Sequence, residues 1–302
     1  MLTAPRHDRA VPRAGQRPYP LRPMSSEPNQ TAPAAQVAGP GGRRRQPPTP
    51  AEVVSIAPVT PRLLSVRVTG ERLSRFAQAA PTSHIKLFLP VAGQDAPTMP
   101  IMTPEGRVWP EDQPRPVVRT YTPRAYDAQT DTLEIQFLLH GEGPASEWAQ
   151  RVQPGAKLAI GGPGGRFQLD PSIRRWWIAG DESAIPAIGT LLDSLPASAS
   201  AQVHLEVGAA EDQIPFQSSA AVELHWHHRR RPSGWGAELE AAAADATIPT
   251  GTQVWVACEA SAVRRIRRQM LEQRQLPAAS LVTRGYWRLG EADHPDHDYG
   301  ED

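Results

Sequence analysis

The hydrophobic positions of this chain follow two successive patterns. From about residue 51 they alternate with polar ones in short runs: Leu64-Ser65-Val66-Arg67-Val68, Ile85-Lys86-Leu87-Phe88-Leu89 and Leu133-Glu134-Ile135-Gln136-Phe137. Alternation sends successive side chains to opposite faces, as in strands with one face buried. Lys157-Leu158-Ala159-Ile160 is a fourth such run. It ends in Gly161-Gly162-Pro163-Gly164-Gly165, which reads as a turn or an interdomain hinge. Strands separated by turn signals with little helix predict an antiparallel Greek-key β-barrel. Residues 91–117, rich in proline and glycine, read as one long loop within it.

Beyond Gly165 the period changes. Strand patterns at 175–179, 202–207, 221–226, 253–257 and 282–288 are interspersed with helical ones at 183–195, 236–245 and 261–275. In the last helix Ala262, Val263, Ile266 and Met270 share a face. Strands mixed with helices predict a parallel α/β sheet. The expected organisation is a tail over 1–49, a β-barrel domain over 50–170, an α/β nucleotide-binding domain over 171–290 and a second tail over 291–302.

The candidate chemistry lies at the ends of these elements. Arg119-Thr120-Tyr121-Thr122 is followed, one strand later, by His140-Gly141-Glu142-Gly143-Pro144-Ala145-Ser146. A guanidinium can fork onto a pyrophosphate, and a tyrosine face can lie against a flat heterocycle. The Thr122 hydroxyl or amide can meet the polar edge of such a ring. The turn through Gly143, Pro144 and Ala145 opens a helix whose free N–H groups form an anion site, with Ser146 also readable as a plain N-cap. A flavin dinucleotide requires these parts together; the tetrapeptide alone is also an ordinary edge-strand sequence.

A second strand-turn-helix signal is Arg175–Ala179 running into Gly180-Asp181-Glu182-Ser183, where a nucleotide can rest on a helix start although Gly-x-Gly-x-x-Gly is absent. Val254–Ser261 repeats the plan and puts Cys258 and Glu259 at the carboxyl end of a strand, where ligands gather in open α/β sheets. Cys258 reads as a buried, inert thiol. The run His225-Trp226-His227-His228-Arg229-Arg230-Arg231 lacks the convergent third and fourth ligands that zinc requires, since His225 and His227 share one strand face and His228 the other. No protein metal site is expected, nor any catalytic acid or base, for the chain shows no carboxylate pair or triad.

Composition narrows the classes further. The formal net charge is zero but unevenly placed: residues 1–50 hold eight arginines against Asp8 and Glu27, whereas Glu291–Asp302 holds six acids and no base. The head is so rich in proline that it cannot offset its ordering entropy and is expected to be disordered. Met24 is an alternative start of translation. Arg43-Arg44-Arg45 lacks interleaved aromatics and reads as solvated rather than as a nucleic-acid or membrane contact. No run approaches the ~18 apolar residues of a membrane span, and no signal-peptide core is seen. A single cysteine fits a reducing cytoplasm.

Taken in order, Arg119–Thr122, His140–Ala149, Gly161–Gly165, Gly180–Ile188, Cys258–Arg264 and Gly285-Tyr286-Trp287-Arg288 resemble the siderophore-interacting protein family, flavin-dependent ferric-siderophore reductases of the ferredoxin–NADP reductase-like superfamily. The likeness covers roughly residues 50 to 294. It implies FAD on the barrel, NADPH or NADH on the α/β half, and a ferric siderophore as substrate, in a cytoplasmic monomer. By position, Arg229 and Arg230 either hold the 2′-phosphate of NADPH or are a solvated strand end. The family more usually has glycine where this chain has Cys258. His84-Ile85-Lys86-Leu87 resembles the family's His-Val-Lys-Leu strand, and Lys86, Arg124 and Arg288 would form a cationic rim for anionic siderophores. Two alternatives share these features: a general NAD(P)H–flavin or ferredoxin/flavodoxin reductase, and a non-catalytic flavin- or siderophore-binding protein.

Overall fold

The computed structural model describes residues 47–294 apart from 105, 142, 166 and 231–233. Most of the two expected tails, with Arg43–Arg45, and Arg231 of the basic run lie outside the described residues.

The first half is built from β1 (Thr49–Pro58), β2 (Leu63–Gly70), β3 (His84–Leu89), β4 (Ile101–Thr103), β5 (Gly106–Val108), β6 (Val117–Tyr121), β7 (Pro123–Asp127), β8 (Thr132–Leu138), α1 (Pro144–Arg151) and β9 (Lys157–Gly164). Seven of these strands form one antiparallel sheet in the order β6-β3-β9-β1-β2-β8-β7. Its two edge strands are consecutive in the chain and joined by Thr122 alone, so the sheet curls until its edges meet at that corner. The alternating residues fill the inside: Val66, Val68, Leu87, Ile135 and Ile160 are fully buried in one cluster.

Two expectations change here. The long loop over 91–117 contains the β4–β5 hairpin, whose three-residue strands are too short to show a period. The glycine run is not a hinge. β9 continues through it to Gly164, paired with β3, and a Cβ on Gly164 would stand 2.6 Å from the His84 ring. Glycine is needed there for close strand approach.

The second half comprises β10 (Arg175–Asp181), α2 (Ile185–Ser194), β11 (Ser200–Val207), β12 (Ala221–His228), α3 (Ala237–Asp245), β13 (Thr252–Glu259), α4 (Ala260–Arg268) and β14 (Leu281–Trp287). The strands are parallel in the order β12-β11-β10-β13-β14, so β10 is the switch point, with later strands on both sides of it. Neighbouring Trp176 and Trp177 go to opposite faces: Trp176 packs with α2 residues such as Ile188 and Leu191, and Trp177 with Leu239 of α3 and Val263 of α4. β13 is buried along its whole length, as a central parallel strand should be.

α2 also docks on the β half. The Thr82 amide donates to Thr190 Oγ1 at 3.0 Å, and Arg124 of β7 pairs with Asp193 at 2.6 Å. A Cβ on Gly189 would meet that guanidinium at 2.9 Å. Leu63 of β2 is buried in the α2-side cluster. Among the described residues, no helix is long and apolar enough to cross a membrane.

Candidate functional site

On β6 the strand period divides the tetrapeptide. Arg119 and Tyr121 stand opposite Leu87 and Ile85 of β3, both buried in the barrel cluster, whereas Thr120 stands opposite the exposed Lys86. Lys86 Nζ donates to Thr120 Oγ1. Arg119 and Tyr121 therefore serve one face and Thr120 the other. The Tyr121 ring lies 4.5 Å from Phe137, which in turn lies 5.5 Å from Trp148 of α1. Burial pushes the Tyr121 phenol well above its ordinary value. Arg119 is partly exposed; it donates to the Val118 carbonyl at 2.8 Å and lies 3.5 Å from Asp293.

α1 packs against β6 and β8. Its N-cap is Gly143 at φ +126°, where a side chain would be strained, and among the described residues no side chain caps the helix start. Pro144 occupies the first position and has no N–H to satisfy. Ser146 is thus not the N-cap: it sits inside the first turn, and its Oγ accepts from the His140 amide at 3.2 Å. An uncapped helix start packed beside a strand that carries an arginine suits a pyrophosphate. The residues of this half fit a flavin dinucleotide.

The carboxyl edge of the parallel sheet is different. Asp181 Oδ1 accepts from the Ser183 amide at 3.0 Å, and Oδ2 accepts from the Glu259 amide at 3.1 Å and from Trp287 Nε1 at 2.7 Å. Burial raises the Asp181 carboxyl to about 6, with the neighbouring Glu182 charge acting in the same direction. Glu206 at the end of β11 accepts from the Gly236 and Glu238 amides at the start of α3, at 3.0 and 3.1 Å. Glu259 caps α4 through the Ala262 amide at 3.0 Å. The Ser183, Gly236, Glu238, Glu259 and Ala262 amides at these turns are taken by the protein's own carboxylates. A nucleotide phosphate resting on the Gly180–Ser183 turn would lie beside these buried acids and without the Ser183 amide, which Asp181 already takes. Cys258 beside them is fully buried, and burial pushes its thiol well up, which leaves it inert.

Arg229 and Arg230 do not form an exposed pair. Arg229 is only 6% exposed in its side chain; it donates to Glu182 Oε2 at 2.5 Å and to Glu206 Oε1 at 3.0 Å. Its guanidinium lies 3.6 Å over the Trp235 ring, which meets Trp287 edge-on at 4.7 Å. Arg230 is 84% exposed and reaches Glu238 at 3.2 Å. Adjacent residues leaving a strand diverge, so one arginine enters the acid cluster and the other faces water. The cationic rim is likewise divided: Lys86 serves Thr120, Arg288 pairs with Glu291 at 3.1 Å, and Arg124 is committed to Asp193 in the contact with α2. Sequence reasoning missed Glu206, Trp235, Arg62 and Asp212. Glu206, an acid near the end of a predicted strand, was within its reach. The Arg62–Asp212 pair spans 150 residues and has no local signal.

His204, His225 and His227 stack in a row, with ring centroids 4.7 and 5.3 Å apart and planes within 18°. His204 Nδ1 and His227 Nε2 lie 3.1 Å apart and share a hydrogen bond, and among the described residues no group of three or more His, Cys, Asp or Glu side chains can hold a metal. Burial first, and the neighbouring imidazoles second, lower His204 to about 4, and His227 falls in the same direction. A histidine depressed on folding binds fewer protons folded than unfolded, so stability is lost as pH falls from about 6.5 toward 4. Asp181, raised on folding, works oppositely and adds stability as pH falls from about 6 toward 4. Melting curves between pH 7 and 5 should show a smaller fall for His204→Gln than for the wild type, and a steeper fall for Asp181→Asn.

Residues 52–167 match the siderophore-interacting FAD-binding domain, and residues 173–290 match the family described as siderophore-interacting protein. The chain is 34% identical over 247 residues to the ferric vibriobactin reductase of Vibrio cholerae, covering 80% of this chain and 89% of that protein. It is 32% identical over 224 residues to the NADPH-dependent ferric-chelate reductase of Escherichia coli K12, covering 72% and 84%. Among solved structures it is similar to a siderophore utilization protein from T. fusca, with TM-score 0.73 and 28% identity over 84% of this chain and 98% of that one.

Proposed function

We infer function from the family to which this chain belongs, the siderophore-interacting proteins with an FAD-binding domain. It is a flavin-dependent ferric-siderophore reductase that uses NADPH and releases iron as Fe(II). The geometric observation that carries this reading is the uncapped start of α1 packed against the arginine strand β6. When bound, FAD supplies the conversion between two-electron hydride chemistry and one-electron reduction of Fe(III). The residues of the chain supply binding and orientation. Residues 50–170 hold the flavin and residues 171–290 the pyridine nucleotide. Arg119 and the amides of Ala145 and Ser146 neutralise the pyrophosphate, while Tyr121, Thr122 and His140 line the ring side. At the other half, Gly180, Asp181, Glu182, Ser183, Cys258 and Glu259 form the carboxyl edge of the parallel sheet at the switch point, where the nucleotide is proposed to lie. Lys86 and Arg288 remain as the cations for an anionic siderophore, with Arg124 removed from that role.

Of the two arginines at the end of β12, Arg230 is the one that a 2′-phosphate can reach. Arg230→Ala should raise KM for NADPH about tenfold, leave NADH use nearly unchanged and spare kcat, because this contact is remote from the hydride and acts as uniform binding. Steady-state kinetics with both coenzymes check this. The reading also places the protein in the cytoplasm as a monomer. The function itself is tested by anaerobic titration of the purified yellow protein with NADPH, followed by a ferric siderophore. Bleaching and then recovery of the flavin absorbance is expected. A flavin that NADPH leaves oxidised would favour a binding protein, and recovery only with ferredoxin would favour a ferredoxin reductase.

A further inference from the structure

The buried acids at the carboxyl edge are neutralised by a chain of charge that crosses from one half of the molecule to the other. Arg62 lies in the turn between β1 and β2. Its Nε donates to both Asp212 oxygens at 3.1 Å, and Nη2 bonds Asp212 Oδ2 as well. The same Nη2 lies 3.4 Å from Glu182 Oε1, and the other Glu182 oxygen receives Arg229, which also holds Glu206. Both acids that Arg62 meets are almost wholly buried, with side chains 4% and 5% exposed. The backbone of Arg62 is fixed too, since its carbonyl accepts from the Leu139 amide at 2.7 Å. Leu63 beside it is buried in the α2-side core, and a Cβ on Gly208 would overlap the guanidinium.

Glu182 follows Asp181 in the turn after β10, the switch point proposed above to face the nucleotide, so whatever holds Glu182 holds that turn. We propose that Arg62 is a positioning residue for hydride transfer, tying the Gly180–Ser183 turn to the flavin-binding half through Glu182 and Asp212. This rests on the reading of function above. Hydride transfer needs the reacting atoms within about 3–3.5 Å and aligned, and a 1 Å misplacement can cost about a hundredfold. Reduction of a small ferric chelate by the already reduced flavin needs no nucleotide held at the α/β half, so loosening the tie should affect the first half-reaction alone. Arginine is required because one planar fork serves two carboxylates, whereas a lysine ammonium is a point charge.

The test uses the full chain loaded with FAD, as wild type, Arg62→Lys and the double variant Arg62→Met/Asp212→Asn. The double variant removes a positive and a negative charge together and leaves Glu182 with Arg229, which protects folding. Stopped-flow bleaching of the flavin by NADPH should slow about tenfold or more in both variants. Reoxidation of the dithionite-reduced protein by ferric citrate should stay within about twofold of wild type. In the flavin-free protein, hydrogen exchange should quicken in peptides covering 180–184 and 208–213. Unchanged bleaching, or equal loss in both half-reactions, overturns the proposal. A wild-type flavin that NADPH cannot bleach overturns the reading of function itself, and the role of Arg62 with it.

Discussion

Arg229→Ala is expected to lower the melting temperature by roughly 10 °C. The side chain is buried between Glu182 and Glu206, themselves buried, and covers the face of Trp235. Removing it leaves two buried carboxylates with only Arg62 in part and the α3 amides to offset them. Breaking a buried pair from one side costs about 3–5 kcal/mol, and in a chain of this size each kcal/mol shifts the midpoint by about 2–4 °C. Arg230→Ala provides the control: the side chain is exposed, and its loss should move the midpoint by no more than about 2 °C. Thermal melts of the two variants beside the wild type decide the matter. Equal small shifts would return Arg229 to the role of a solvated strand end. A substitution at Arg229 made to alter coenzyme choice would therefore read out stability.

Arg119→Ala is expected to weaken FAD binding about ten- to hundredfold. The proposed contact is a charge-assisted bond to the pyrophosphate, worth about 1.5–3 kcal/mol. Arg119 is partly exposed, and among the described residues its carboxylate neighbour is the exposed Asp293 at 3.5 Å, so its removal strands no buried charge. The fold should survive while the flavin is lost, the opposite signature to Arg229. Fluorescence titration of flavin-free protein with FAD measures the constant, and circular dichroism checks the fold. A variant that purifies with full flavin occupancy would remove Arg119 from the site.

The two arginines show where local reading of the sequence stops. The proposal for Arg119 rests on its neighbours in the chain, because strand β6 and the start of α1 are local features with local signals: an Arg-x-Tyr run, and a Gly-Pro-Ala helix start. Arg229 was assigned from its place at a strand end, which correctly located it at the carboxyl edge of the sheet. Its partners come from two other strand ends, and no spacing in the sequence joins them. Ser146 as a cap fails for a different, local reason. A serine before a helix looks like a cap, but the glycine at Gly143 and the proline after it start the helix earlier.

The chain by itself determined the two-part architecture, since periods of 2 and 3.6 are properties of neighbouring residues and change visibly after Gly165. It also determined the order of strands and helices in the α/β half. Only the tertiary structure decided which ionisable groups neutralise one another. Glu182, Glu206 and Asp212 are answered by Arg62 and Arg229 from outside the span they occupy, and Asp181 by the Ser183 and Glu259 amides and the Trp287 indole. Burial makes each of those charges costly unless it is met by an opposite one or by an amide. That condition acts through space, at the point where the parallel strands end beside the β1–β2 turn, and the linear pattern of the chain does not carry it.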